Sequence, residues 1–397
     1  MSKLDDMINR LCPDGVEVVK LGEVLGYEQP TKYIVASKEY QNEGTPVLTA
    51  GQTFILGYTD ETDGIFKASK ENPVIIFDDF TTSFHWVDFD FKVKSSAMKM
   101  LRTLDETKVS FRFVYYAMKC IKYQTLEHSR QWISKYSQIE IPLPPLEVQN
   151  EIVRILDHFT QLEAELEAEL DCRKRQYEYY RDQLLNFDKF TPPERNNRVV
   201  WLPITEVFEM RNGYTPSKNK AEYWEGGTIP WFRMEDIRQN GRILSDSIQH
   251  ITMDGVKKGK LFKANSFILA TTATIGEHAL IIADSLANQR FTNLTVRKSL
   301  SDKVLTKYLF HYMFIIDEWC KQNTNISGFA SVDMNKFKKF QIPIPPIEEQ
   351  ERIVAILDRF ESLTTSLQEG LPAEIAARRQ QYEYYRDRLL DFKKKTA

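Results

Sequence analysis

Apolar residues recur between 152 and 170 at the spacing of one helix face. They are Ile152, Ile155, Leu156, Phe159, Leu162, Leu166 and Leu170, with charged residues filling most other positions. Tyr177, Tyr180 and Leu184 continue the row. The pattern predicts one helix from Glu147 to Phe187, roughly 60 Å long at about 1.5 Å per residue. A domain core in a chain of this size needs no such rod, so its expected role is to space or zip parts together.

The same pattern occurs twice. IPLPPLEVQNEIVRILDHF (Ile141–Phe159) returns 201 residues further on as IPIPPIEEQERIVAILDRF (Ile342–Phe360), and RKRQYEYYRDQLLNF (Arg173–Phe187) returns 205 residues further on as RRQQYEYYRDRLLDF (Arg378–Phe392). The second copy carries four extra residues, and it has Gly370 and Pro372 at its middle, which predict a kink or break. Each copy follows a segment of mixed pattern. Four blocks result: a mixed domain over 1–145, a helical spacer over 146–190, a second mixed domain over 191–346 and a C-terminal helical spacer over 347–397.

The mixed domains share a faint grammar. Each opens near a Glu-Val pair (Glu23-Val24, Glu206-Val207) and holds an apolar strand (Val74–Phe77, Phe267–Ala270). Each then passes through an amphipathic helix, with Phe111, Val114, Tyr115 and Met118 on one face in the first and Leu305, Leu309, Tyr312 and Ile316 in the second. The fold class predicted is α+β and pseudo-two-fold, with two long helices packing as an antiparallel coiled coil. Such a chain would offer two related surfaces to two copies of one partner.

Composition adds limits. Hydrophobic residues make up 42% of 397, enough for real cores. No run of about 18 apolar residues occurs, which excludes a membrane-spanning helix. The opening MSKLDDMINRL lacks the basic-then-apolar order of a secretory leader. Four scattered cysteines (Cys12, Cys120, Cys172, Cys320) contain no C-x-x-C pair, which fits a reducing cytoplasm and predicts no structural zinc. A net charge of −3 argues against an overall basic coat but leaves room for local basic faces.

Motifs for catalysis are missing. There is no G-x-G-x-x-G, no phosphate-loop G-x-x-x-x-G-K-[ST], no H-E-x-x-H and no N/D-P-P-F/Y. Asp79 followed by Asp90-Phe91-Lys92 matches the short D…[DE]-x-K metal pattern of nucleases. The competing reading is a surface strand in which Asp88, Asp90, Lys92 and Lys94 alternate with Phe89, Phe91 and Val93, and it is the one expected.

The repeated P-L-P-P-L-E-x-Q…I-V-x-I-L-D-x-F and Q-Y-E-Y-Y-R-D-x-L-L-x-F runs resemble the specificity subunit of type I restriction–modification systems. The tandem EAEL (Glu163–Leu166, Glu167–Leu170) and LPAEIAARRQQYEYYRD resemble the branch called type IC. The stretch from Tyr27 to Met100 (YEQPTKY…PVLTAGQTFILGYTDETDGI…VIIFDDFTTSFHWVDFDFKVKSSAMKM) is similar to a recurring target-recognition domain of that family. The resemblance implies a non-catalytic reader of double-stranded DNA. Its two target-recognition domains would each read half of a bipartite, asymmetric site. It would dock two modification (methyltransferase) subunits carrying S-adenosylmethionine, which methylate adenine, and through them restriction subunits using ATP and Mg. This chain itself would carry no cofactor.

A DNA reader needs side chains that reach base edges and others that position phosphates. The first domain offers Lys32, Tyr33, Gly51, Gln52, Asp79, Thr81, Thr82, Lys94, Arg130 and Gln131. The second offers Thr215, Ser217, Lys218, Arg233, Thr272, Thr274, Asn288, Gln289 and Arg290. Asn288-Gln289-Arg290 is the best cluster, because amides and guanidinium groups suit adenine and guanine edges. A structural turn is the competing fate of Asn288. For partner contact, Tyr177, Tyr180, Tyr382 and Tyr385 lie on the apolar row. Tyr179 and Tyr384, with Arg181 and Arg386, lie off it and are the candidates. One EAEL unit changes the rod by about 6 Å, against about 3.4 Å per base pair, so the tandem is a candidate length adjuster, with simple helix-forming composition as the competing reading. The Lys393–Lys395 tail is expected to be a solvated end.

Overall fold

The computed structural model describes residues 3–51, 53–123, 129–187, 199–325, 330–365 and 370–395. The chain divides into two compact units, Met1–Glu167 with Glu374–Ala397, and Ala168–Ala373. Each unit therefore contains one mixed domain, the opening part of the repeat that follows it or leads from it, and helix from the other repeat.

In the first unit, the run VIIF lies at the centre of a four-stranded antiparallel sheet in the order Leu25–Glu28, Met98–Thr103, Val74–Asp78, Phe84–Val87. All four residues of the run are buried because both faces of the sheet are covered. Ile75 and Phe77 pack with Leu21, Val114, Met118 and Trp132 on one side. Val74 and Ile76 point the other way, toward Leu48, Phe66 and Phe91, as the two-residue period of a strand requires. That second layer is a small sheet, Ile55–Thr59 beside Thr45–Leu48, with Lys92–Val93 parallel to the latter.

The second unit repeats this plan with unrelated side chains. Its sheet runs Phe208–Asn212, Phe291–Val296, Ser266–Ala270, His278–Ile281, with Ile243–Leu244 added at the edge. Phe267 and Leu269 face one core while Ile268 and Ala270 face another. A small sheet again forms the second layer: Ile229–Phe232 pairs antiparallel with His250–Ile251 and parallel with Leu286–Ala287. The faint shared grammar is thus one topology written twice.

The proline-rich entries form strands rather than mere stops. Glu140–Leu143 pairs with Glu17–Lys20, and Gln341–Ile344 with Val200–Pro203. Directly after each entry a glutamine is fully buried. Gln149 accepts from the Ser110 N–H (2.8 Å) and donates to the carbonyls of Lys108 (3.1 Å) and Pro144 (2.7 Å). Gln350 does the same with the Leu305 N–H and the carbonyls of Lys303 and Pro345, all at 2.8 Å. Each buried amide thus satisfies three main-chain groups, one N–H and two carbonyls. About two turns later Asp157 takes Arg112 and the Tyr116 hydroxyl, and Asp358 takes Lys307 and His311.

The first repeat is one helix, Leu146–Leu185. The second is two, Ile347–Thr365 and Leu371–Leu389, with Pro372 in the first turn of the latter, where a missing N–H costs nothing. In the first unit, Phe159 stacks on Tyr385 (centroids 5.4 Å apart), and Glu163 and Glu167 both reach Arg379 (2.6 and 3.2 Å). Increasing numbers on one helix meet decreasing numbers on the other, so the pair is antiparallel. In the second unit Tyr180 stacks on Phe360 at the same 5.4 Å. These are equivalent residues of the two repeats.

The lysine tail is solvent-exposed as expected, but its main chain is anchored: Val16 N–H donates to the Lys393 carbonyl and Lys395 N–H to the Val16 carbonyl, both at 2.9 Å, while the Lys394 side chain pairs with Glu140. One expectation needs correction. Lys92 is not on a surface strand. It is buried, held by the Glu61 carboxylate (2.8 Å) and the Asp63 carbonyl (2.6 Å).

The N-terminal helix Lys3–Leu11 docks through a buried carboxylate. Arg154 and then Lys3 hold the Glu151 acid down from its ordinary 4.5 to about 2. A group depressed in this way stabilises the fold above about pH 4.5 and loses that contribution as pH falls toward 2. Glu151→Gln should lower stability by about 1 kcal/mol at pH 7, since both cations are largely exposed. Thermal unfolding at pH 7 and pH 3 checks this, because the difference from the parent should shrink at the lower pH.

Candidate nucleic-acid interface

Each domain presents a tip where a central strand of its sheet turns into the next, Val74–Asp78 into Phe84–Val87 and Ser266–Ala270 into His278–Ile281. In the first domain Asp78 starts the turn, its carboxylate accepting from the Phe80 and Thr81 N–H groups. Thr82 closes it at φ 60°, a conformation that costs a β-branched residue energy and recurs at functional sites. Thr81 is exposed and Thr82 buried. Gly51 is tied to the strand beyond the turn by its carbonyl contact with His85 Nε2 (3.1 Å), and Phe54 stacks on the His85 ring. Burial lowers the pKa of that imidazole.

Beneath the turn lies a charged pair. Asp79 and Lys99 are each 1% exposed, with Lys99 Nζ 3.3 Å from Asp79 Oδ2. The other carboxylate oxygen, Oδ1, accepts from Trp132 N–H (2.8 Å). Arg130, half exposed, comes within 3.8 Å of Oδ2. Gln131 is fully buried: its amide donates to the Ser129 carbonyl and accepts from the Tyr123 hydroxyl, so it shows no polar atom to solvent. Lys32 and Tyr33 stand apart on the Glu28 carboxylate (3.4 and 3.0 Å), and Lys94 is exposed. Gln52 lies outside the described residues.

In the second domain the corresponding turn carries Ala273 at φ 68° and Gly276 at φ 76°. Thr272 pairs with Ser331, and Thr274 N–H donates to the Thr272 carbonyl. Thr215 donates to the Gln289 side chain and Asn288 accepts from the Arg290 N–H, so Thr215, Asn288, Gln289 and Arg290 do come together. Asn288 thereby also plays the structural part weighed for it. Gly213 permits the approach, since a Cβ there would stand 2.2 Å from the Asn288 carbonyl oxygen. Ser217 and Lys218 are exposed, and Arg233 sits at the start of the helix Met234–Asn240, near Glu235.

The nuclease pattern does not assemble. Asp90 pairs with Lys67 (2.6 Å), Lys92 with Glu61 and Asp79 with Lys99, so the two carboxylates answer to different cations. Among the described residues, His311, Asp358 and Glu361 have metal-ligand types and proximity. The Lys307 ammonium already lies 3.5 Å from Asp358 and 3.9 Å from Glu361, supplying the cation.

On the helices, Tyr179 and Tyr384 are 61% and 58% exposed. Arg181 and Arg386 are mostly covered, each paired with the next aspartate and lying over Tyr177 and Tyr382 respectively. Sequence reasoning passed over Gln149, Gln350, His85 and Lys99. The glutamines are marked by their recurrence in both repeats, and Lys99 by being the one charge in MKML.

A family model for the type I restriction modification DNA specificity domain matches residues 13–171 and again 199–377. The specificity subunit of the type I restriction enzymes EcoR124I/EcoR124II of Escherichia coli is 48% identical over 402 residues, 96% of each chain. The EcoprrI specificity subunit of the same organism is 55% identical over 202 residues, 49% of this chain and 50% of that one. A solved S subunit from M. genitalium superposes with a TM-score of 0.52 at 14% identity, covering 95% of this chain and 96% of its own. A chain from a structure describing complex assembly and conformational transition of the type I R-M system gives 0.57 at 18%, covering 95% and 98%. At such identities the two structures speak for the fold alone. Matched twice by one family model, and by a relative over nearly its whole length, the chain belongs to the type I restriction–modification DNA specificity family.

Proposed function

We propose that this chain is the DNA-specificity subunit of a type I restriction–modification complex, each domain tip reading one half of a bipartite, asymmetric site. The observation that carries the reading is one scaffold built twice with chemically different tips. A charged Asp79–Lys99–Arg130 group occupies one tip and a neutral Thr-Asn-Gln group with Arg290 the other. Identical folds with unlike tips suit two different base sequences. The chain contributes recognition, while S-adenosylmethionine belongs to modification subunits and ATP with Mg to restriction subunits.

Two copies of the modification subunit would dock on the equivalent helix faces around Tyr179 and Tyr384. Exposed tyrosines at equivalent places of a repeat support that surface, since large amphipathic rings anchor interfaces. Tyr179→Ala with Tyr384→Ala should leave thermal unfolding unchanged and weaken complex formation at least tenfold, as read by analytical ultracentrifugation with the modification subunit.

The test of the whole reading is co-expression with the neighbouring methyltransferase gene, followed by single-molecule sequencing for methyladenine. A two-part motif with an unspecified gap is expected. An assembled complex that methylates nothing, with a methyltransferase active beside another specificity subunit, would overturn it.

A further inference from the structure

We infer that Arg130 reads a guanine in the half-site of the first domain and that Asp79, balanced by Lys99, is the residue that positions it. The inference rests on the reading of the tips as DNA-recognition surfaces.

The two domains provide an internal control. Their main chains are bonded alike at the tip. Asp79 N–H donates to the Ala97 carbonyl and Gln131 N–H to the Asp79 carbonyl, both at 2.8 Å. Thr271 N–H donates to the Arg290 carbonyl and Val332 N–H to the Thr271 carbonyl, both at 2.9 Å. Register agrees, because Phe77 faces Lys99 as Leu269 faces Thr292. Asp79 and Lys99 therefore occupy the places of Thr271 and Thr292. In the second domain those two hydroxyls simply bond each other at 3.0 Å. A neutral pair suffices to build the scaffold, yet the first domain buries two full charges there.

Burying an ion pair is costly unless its geometry is very good. Here neither Asp79 Oδ2 nor Lys99 Nζ makes a hydrogen bond. Asp79 Oδ1 serves the scaffold by accepting from the Trp132 N–H, and the Lys99 ammonium lies over the Tyr27 ring, but neither contact accounts for Oδ2, which faces Arg130. Asp79 Oδ2 is the oxygen that faces both cations, and with Lys99 already beneath it, the net positive charge of the trio is delivered at the half-exposed guanidinium. The residue at the place of Arg130 in the second domain is Ser331, which is engaged with Thr272 instead. Buried charges and an arginine in these equivalent places occur together in the first domain, while the second has Thr271, Thr292 and Ser331 there.

The Asp79 carboxylate draws the Arg130 guanidinium toward one place on the tip at 3.8 Å, without a hydrogen bond to Oδ2. A phosphate accepts a cation from many directions, whereas the O6/N7 edge of guanine accepts only an aligned fork. Placement of this kind fits base reading.

The experiment uses the complex with its modification subunits and the methyladenine map of the parent. Arg130→Gln should leave the second half-site intact and relax one position of the first from guanine alone to several bases. Discrimination there should fall about ten- to a hundredfold. Arg130→Lys keeps the charge and should relax the same position. Asp79→Thr alone strands Lys99, so the positioning role is tested with Asp79→Thr and Lys99→Thr together, which copy the second domain. That double variant gives up the Asp79 bond to the Trp132 N–H and should therefore unfold at a somewhat lower temperature than the parent, yet remain folded and loosen the same guanine position. Uniform loss of methylation over all sites with Arg130→Gln would make Arg130 a phosphate contact and overturn the inference, as would an unchanged motif. A double variant with undiminished discrimination would overturn the role of Asp79. A parent without a bipartite motif would instead remove the underlying reading of the tips.

Discussion

Replacing Gln149 by leucine is expected to lower the stability of the first unit by roughly 3 kcal/mol or more. Leucine is close in size, so the loss comes from hydrogen bonding rather than from a cavity. Three main-chain groups lose their partner at once: the Ser110 N–H and the carbonyls of Lys108 and Pro144. Each buried group left unpaired costs about 1–3 kcal/mol. Gln149→Glu should be no better, because a carboxylate would face two carbonyl oxygens. Gln350→Leu should do the same to the second unit. Hydrogen exchange reads each unit separately, and protection should fall around the entry strand Glu140–Leu143 in one variant and Gln341–Ile344 in the other. A loss below about 1 kcal/mol would mean that water replaces the amide.

Deleting Glu167–Leu170 should move the recognised site rather than abolish it. The boundary between the compact units falls between Glu167 and Ala168, inside the second EAEL unit. Removing four residues shortens the helix by about 6 Å while closing just over one turn, so the apolar row is displaced by only about 40°. Glu163 remains to hold Arg379. The expected methyladenine map shows the same two half-sites with a gap shorter by about one to two base pairs, and more than tenfold less methylation of the original motif. An unchanged gap would deny the tandem any spacing role.

Much of this architecture is legible along the chain, and the physical reasons differ from place to place. The helix face from Ile152 to Leu170 is visible because burial repeats at helical period, and the break before Leu371 because glycine and proline interrupt it. The central strands are visible as VIIF and FILA because both faces are covered. The second layer of each domain is not. Lys92–Val93 and Leu286–Ala287 are two-residue strands paired in parallel with distant partners, which no local pattern encodes. Lys92 misleads for a related reason: its burial depends on Glu61 and Asp63, some thirty residues away. Among candidate readers, exposed Thr81 and Arg130 and the Thr215–Gln289 pair emerge from composition of the loops. Gln131 looks equally suitable in sequence, but its amide turns inward, and only the fold supplies that information.

The glutamine sockets have a consequence for how such proteins diversify. Gln149 and Gln350 grip their domains solely through main-chain atoms. A domain of the same topology with wholly different side chains would present the same carbonyls and N–H group to either glutamine. The sockets themselves therefore place no demand on the side chains of a foreign domain brought in by recombination; only neighbouring contacts, such as Asp157 with Arg112 and Tyr116 or Asp358 with Lys307 and His311, ask for matching partners. New DNA preferences then arise in one genetic step, while the faces offered to the other subunits stay as they were.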